Sequence, residues 1–161
     1  TAGGTSENNG VHSAGCTGHT TEEWVTQQAR QLTWQLQDEQ KPIKDLIRDR
    51  DAKFSASFDN IWASEGVEII RTPYRAPRAN AYAERWIPSV RAEALDQVLI
   101  INEAHLRRVM KAYSDHYNRA RPHQGLEQRC PVPIESARRN GALKRRDVLG
   151  GVIHEYRREA V

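Results

Sequence analysis
Asp49 and Glu84 are the residues of this 161-residue chain whose setting suggests chemistry. Asp49 follows the run "DLIR". Glu84 lies in "IRTPYRAPRANAYAERW" (70–86), a single acid surrounded by Arg71, Arg75, Arg78 and Arg85. A lone glutamate among arginines is ordinarily an ion-pair partner. Two carboxylates converging on one crevice are a different matter, because they repel each other unless a cation lies between them. Hard, oxygen-liganded Mg²⁺ fits, and it leaves coordination positions open for phosphate. Paired ions of this kind activate a water or a 3′-hydroxyl and stabilise the leaving oxygen of an in-line displacement. In such a site the arginines neutralise phosphates rather than the acid.

Convergence requires particular elements. "PIKDLIRD" (42–49) predicts a strand that ends in acids, and Asp49 stands at its C-terminal edge, where α/β proteins place their chemistry. "SASFDNIWASEG" predicts a short helix with a serine cap that ends at Gly66, and "VEIIRT" predicts the next strand. Asn80 caps a predicted helix that runs to about Gln97 and carries Glu84. Pro88 sits inside that helix, removes the bond to the Glu84 carbonyl, and predicts a kink costing on the order of 3 kcal/mol. Upstream, "HTTEEWVTQQARQLTWQLQ" opens with a capping box at Thr20 and Glu23. It places Val25, Ala29, Leu32 and Leu36 at helical spacing. "VHSAGC" (11–16) reads as a short strand, Glu103 to Asn118 as a further helix, and "GVIHEY" as a terminal strand. The fold class is therefore α/β, with a partly parallel mixed sheet flanked by helices. Residues 1–10 read as a disordered N-terminus, 11–120 as the core, and 121–161 as a basic C-terminal extension.

Composition sets the boundaries. Charged residues at 28% and hydrophobic residues at 38% describe a globular chain with a core rather than a disordered one. The apolar run "VLII" (98–101) is far too short to cross a bilayer, so no membrane partner is expected. The first ten residues lack the basic and apolar regions of a signal peptide. Cys16 and Cys130 form no C-x-x-C pair, which argues against a zinc finger or disulfide framework and fits a reducing cytoplasm. His105, His116, His123 and His154 lack metal-site spacing and read as structural or surface residues. Trp24, Trp34, Trp62 and Trp86 read mostly as core. Net charge is +3 but unevenly placed: five arginines between 71 and 91 face one acid, and ten basic residues between 119 and 158 face four. That asymmetry points to a polyanion, nucleic acid above all. "ALKRRDVLGG" (142–151) reads as a mobile basic loop or a phosphate-backbone contact.

The words around the two acids are more specific than their spacing. "DLIRDRDAKFSASF", "GVEIIRTPYRAPRANAYAERW", "VRAEALD" and "HYNRARPHQGLEQRCP" occur in an order that resembles the integrase catalytic core of DDE transposases and retroviral-type integrases. The likeness is strongest to the bacterial insertion-sequence branch. The resemblance implies an RNase H-like fold with an Asp–Asp–Glu triad that binds two Mg²⁺ or Mn²⁺ ions for DNA strand cleavage and transfer. It assigns Asp49 to the second family aspartate and Glu84 to the glutamate, with thirty-four residues between them. Asp51 is the rival to Asp49. The resemblance further assigns Arg75, Arg78, Asn80 and Arg91 to DNA contact. It makes Tyr117-Asn118 and Arg121-Pro122-His123 a "YN…RPH" signature that packs the last helix.

The likeness has gaps. The family's first aspartate sits on the first of three antiparallel strands, "VHSAGC" resembles the third of these, and residues 1–37 contain no Asp. The expectation is a core truncated at its N-terminus and inactive as it stands. The alternatives are a catalytically dead DNA-binding remnant, acting as a homo-oligomer or with an intact transposase subunit, and an RNase H-like nuclease or interaction module.

Overall fold
The computed structural model describes residues 11, 12, 14–73, 81–132 and 141–158, with the backbone alone at 81–83. The chain forms two compact units, residues 14–88 and residues 1–13 with 89–161.

In the 14–88 unit, helix α1 (Glu22–Asp38) is capped by Thr21, whose extended backbone lets its hydroxyl accept the Trp24 N–H. The cap therefore lies one residue beyond the expected Thr20, three positions before the amide it satisfies. Strand β1 (Asp45–Arg48) leads into α2 (Ala56–Ser64), capped by Ser55 as expected. Gly66, left-handed at φ 75°, turns the chain into β2 (Glu68–Arg71). The two strands pair in parallel, Asp45 opposite Glu68 through Arg48 opposite Arg71. This is the predicted strand–helix–strand unit. Val25, Ala29 and Leu36 of α1 pack with Phe58 and Trp62 of α2 and with Val67, and Leu46 and Ile69 of the sheet close onto this core. Strand alternation turns the neighbouring Ile47 and Ile70 away from it, and they remain exposed. Trp34 is also exposed, at 61%, which corrects the expectation that it belongs to the core.

Helix α3 (Ala81–Glu93) is a single element through Pro88 and ends earlier than expected, at Glu93, before a short 3₁₀ turn at Leu95–Gln97.

In the second unit, α4 (Glu103–Arg119) is capped by Asn102, which accepts the His105 N–H. Val90, Ala94, Val109, Tyr113, Tyr117 and Val148 are buried there. "ALKRRDVLGG" is not a loop. Its residues 143–148 form β3 (Leu143–Val148), paired antiparallel with β4 (Ile153–Arg158), the predicted terminal strand. Leu149, Gly150 and Gly151 all take positive φ in the connection, and the two glycines adopt it without a Cβ penalty. "VHSAGC" is not a strand either, at Val11, His12 or 14–16. The Val11 backbone is instead held by the side-chain amide of Asn118, which accepts its N–H at 2.7 Å and donates to its carbonyl at 2.8 Å. An amide side chain here supplies the pair of bonds that a neighbouring strand would have given.

Candidate functional site
Asp49 emerges at the C-terminal end of β1, where the sequence placed it, with its side chain exposed. The parallel ladder carries on beyond the strands, since Thr72 N–H donates to the Arg48 carbonyl at 2.9 Å. Arg50 Nε donates to the Thr72 carbonyl at 3.0 Å and pins the loop that carries both aspartates. Asp49 Oδ1 accepts the Asp51 N–H at 3.0 Å. Asp51 is more heavily engaged. Its Oδ1 accepts the Lys53 N–H and its Oδ2 meets Lys53 Nζ at 3.2 Å. These bonds, the backbone one foremost, hold its carboxyl below the usual aspartate range.

Under this loop lies a cluster that sequence reasoning missed. Arg48 is 6% exposed and binds Asp59 with both arms of its guanidinium, Nε to Oδ1 at 2.8 Å and NH2 to Oδ2 at 2.7 Å. Arg71 adds a third bond to Asp59 Oδ2 at 2.7 Å. The Arg48 hydrogen bond, with help from Arg71, holds the Asp59 carboxyl below its ordinary range despite burial. Arg48 also lies over the Phe54 ring and donates to the Asp49 carbonyl. One signal was available: alternation puts Arg48 on the same inward face as Leu46, and a buried guanidinium needs an acid. Arg71, read from sequence as a phosphate ligand, is committed to Asp59 instead.

Glu84 lies in the first turn of α3 and is exposed. Among the described residues no hydrogen bond or ion pair joins it to Asp49 or Asp51. No group of three His, Cys, Asp or Glu able to hold a metal ion occurs among them. Arg91, seven residues further along α3, is exposed as well. Arg75, Arg78 and Asn80 lie outside the described residues.

The "YN…RPH" residues pack, as their reading required. His123 stacks edge-on against Tyr117 at 4.4 Å between centroids and bonds its carbonyl. Arg121 spans Glu93 at 2.9 and 2.7 Å and lies over the Tyr117 ring. Tyr113, fully buried, donates its hydroxyl to Glu93 at 2.8 Å. Burial pushes the Glu93 carboxyl up, but the bonds from Arg121 and Tyr113 outweigh it and leave Glu93 below its ordinary value. The other histidines are placed comparably: His116 bonds Glu155, and His154 bonds Asp147. Cys16 and Cys130 form no disulfide. No helix among the described residues is long and apolar enough to cross a membrane.

Residues 65–131 match the family model described as Integrase core domain. That stretch runs from the end of α2 through β2, α3 and α4. It contains Glu84, Arg91 and the packing signature, and it stops short of Asp49. Over these residues the chain is similar to an integrase core. No curated protein and no solved structure matches the chain.

Proposed function
We propose that this chain is a DNA-integration core of RNase H-like type, with Asp49 and Glu84 as its two metal-binding carboxylates and duplex DNA as its partner. The observation that carries the reading is the integrase-core match at 65–131 joined to a parallel β1–β2 unit whose edge presents Asp49. Asp49 is preferred to Asp51 because Lys53 occupies both oxygens of Asp51. Exposed carboxylate oxygens suit a hard cation such as Mg²⁺ or Mn²⁺. Such an ion, when bound, supplies charge neutralisation for a phosphodiester. Arg91, with Arg75 and Arg78, contacts the backbone of the DNA.

By this reading the chain binds duplex DNA but does not cut or join it unaided. Two-metal displacement needs a carboxylate shared by both ions. Asp49 and Glu84 supply two ligands, and Asp38 and Asp45 do not complete the set: Asp38 ends α1, and Asp45 opens β1 at its far end. Glu22 and Glu23 sit in the first turn of α1, where the helix dipole accounts for them. Strand chemistry then falls to an assembly that adds the missing carboxylate, as a homo-oligomer or with an intact transposase subunit.

Purified chain incubated with supercoiled plasmid and Mn²⁺ is expected to leave the plasmid intact. Nicking that disappears in Asp49→Ala would show that another residue completes the triad. DNA affinity measured at 50 and 200 mM KCl is expected to fall by one to several orders of magnitude, according to how many phosphates are neutralised. Arg75→Ala/Arg78→Ala/Arg91→Ala should flatten that dependence. An affinity indifferent to salt would sink the DNA reading.

A further inference from the structure
At the opposite end of the β1–β2 sheet from Asp49, within the 14–88 unit, lies a cavity of about 370 Å³. The carboxylate site makes no use of it. The last turns of α1 and α2 form its walls, together with the residues that lead into β1 and β2. Leu36, Trp62 and Val67 line it and are buried, while Gln37 and Glu65 line it at the exposed rim. Size and lining are those of a small-molecule site, since an apolar cavity of roughly 150 Å³ already holds benzene.

The polar groups around the cavity define what it can hold. Thr33 donates its hydroxyl to the Arg30 carbonyl at 2.9 Å, Gln37 donates to Glu65, and Lys41 pairs with Glu39. These groups are committed to the protein. Trp62 is not. It is 2% exposed, and its indole N–H has no acceptor. Among the described residues that line the cavity, it holds the one buried side-chain polar atom left without a partner. A buried indole N–H ordinarily finds one, and an indole nitrogen donates without accepting. The unmet demand is therefore for an acceptor. A charged ligand does not fit, because the apolar floor offers no counter-ion to offset its desolvation.

We propose that this cavity is a binding site for a compact, uncharged, largely apolar molecule with one hydrogen-bond acceptor, such as a carbonyl, which takes the Trp62 N–H. The apolar body of the ligand replaces water against Leu36, Ile43 and Val67. Its acceptor supplies the bond that the fold leaves unmade. Occupancy ties the ends of α1 and α2 to the strands beneath them, and it stabilises the unit because the unfolded chain has no such site.

The test uses the full chain with two probes, acetophenone and ethylbenzene, which share a ring and nearly the same size. Only the ketone carries an acceptor. The ¹⁵N-labelled chain shows one indole N–H resonance for each of its four tryptophans. Trp62→Phe identifies the Trp62 resonance; if that variant does not fold, Trp24→Phe, Trp34→Phe and Trp86→Phe identify it by elimination. Acetophenone is expected to move this resonance downfield and saturably, as the N–H gains an acceptor. The resonance of Trp34, which is 61% exposed, should stay in place. Ethylbenzene is expected to bind at least fivefold more weakly, the factor that one net hydrogen bond represents, and to cause no downfield movement. A Trp62 resonance left unmoved by acetophenone up to its solubility limit overturns the site. Equal affinity for the two probes overturns it too, as does unsaturable movement of Trp34 and Trp62 together, the mark of an adventitious additive only. None of these outcomes bears on the DNA reading.

Discussion

Arg48→Ala is expected to destabilise the 14–88 unit by about 3 kcal/mol, the size of effect seen when one partner of a buried ion pair is removed. Arg48 is almost fully buried, and its loss leaves Asp59, 13% exposed at its side chain, without its bidentate partner. Arg71 cannot take over that role. Its own side chain is 55% exposed, so its bond to Asp59 is a rim contact of roughly 0–1 kcal/mol. Arg71→Ala is the matched comparison, and the two effects should differ at least threefold. All four tryptophans lie within 14–88, so urea unfolding followed by tryptophan fluorescence reads this unit. Equal effects from the two variants would remove the special place given to Arg48.

The same pair sets a pH dependence. The folded-state pKa of Asp59 is depressed, so the stabilisation is fully present above the unfolded value, near 3.9. It is lost as pH falls through the lower, folded value. The parent unit should therefore lose stability on acidification below about pH 4, and Arg48→Ala should show a shallower decline. For function, the consequence is positional. The loop that presents Asp49 springs from the end of β1, and Arg48 anchors that end to α2 while Arg50 ties it to β2.

The second large effect lies in the other unit. Tyr113→Ala is expected to cost about 3–5 kcal/mol, as for other large aromatics truncated in a core, because the ring is wholly enclosed. Tyr113→Phe keeps the ring and removes only the bond to Glu93, an expected loss of about 1.5 kcal/mol, at the low end for bonds to charged groups. Arg121 still satisfies both Glu93 oxygens in that variant. Burial, together with the Glu93 bond, pushes the Tyr113 phenol well above its ordinary pKa, so alkaline titration should find it ionising above the usual tyrosine range. Urea unfolding followed by far-UV circular dichroism measures both losses. A Tyr113→Ala loss below 1 kcal/mol would mean the ring is not packed as described.

Sequence by itself determined most of the elements and pointed to the integrase-core likeness. Helical spacing located α1, a serine cap and Gly66 located α2, and the runs "PIKDLIRD", "VEIIRT" and "GVIHEY" located β1, β2 and β4. Each of these signals is written within a few residues, because helix and strand hydrogen bonds close locally and side-chain direction follows a fixed period. The words around Glu84 reached the integrase-core reading for the same reason: they are contiguous. Local reading failed where a partner comes from elsewhere in the chain. "ALKRRDVLGG" reads as a basic loop until "IHEYRR" supplies the backbone partners that make it β3. "VHSAGC" reads as a strand, but Asn118, more than a hundred residues away, holds Val11 instead. Tertiary structure alone decided which charges are paired. Arg71 had two candidate roles in sequence, and the fold resolved them by bringing Asp59 to 2.7 Å from it. Glu93, Tyr113 and Arg121 are scattered across three segments, and His116 of α4 meets Glu155 of β4. A charged side chain buried at one place must be neutralised by whatever the packing brings beside it, and that choice depends on distance through space rather than along the chain.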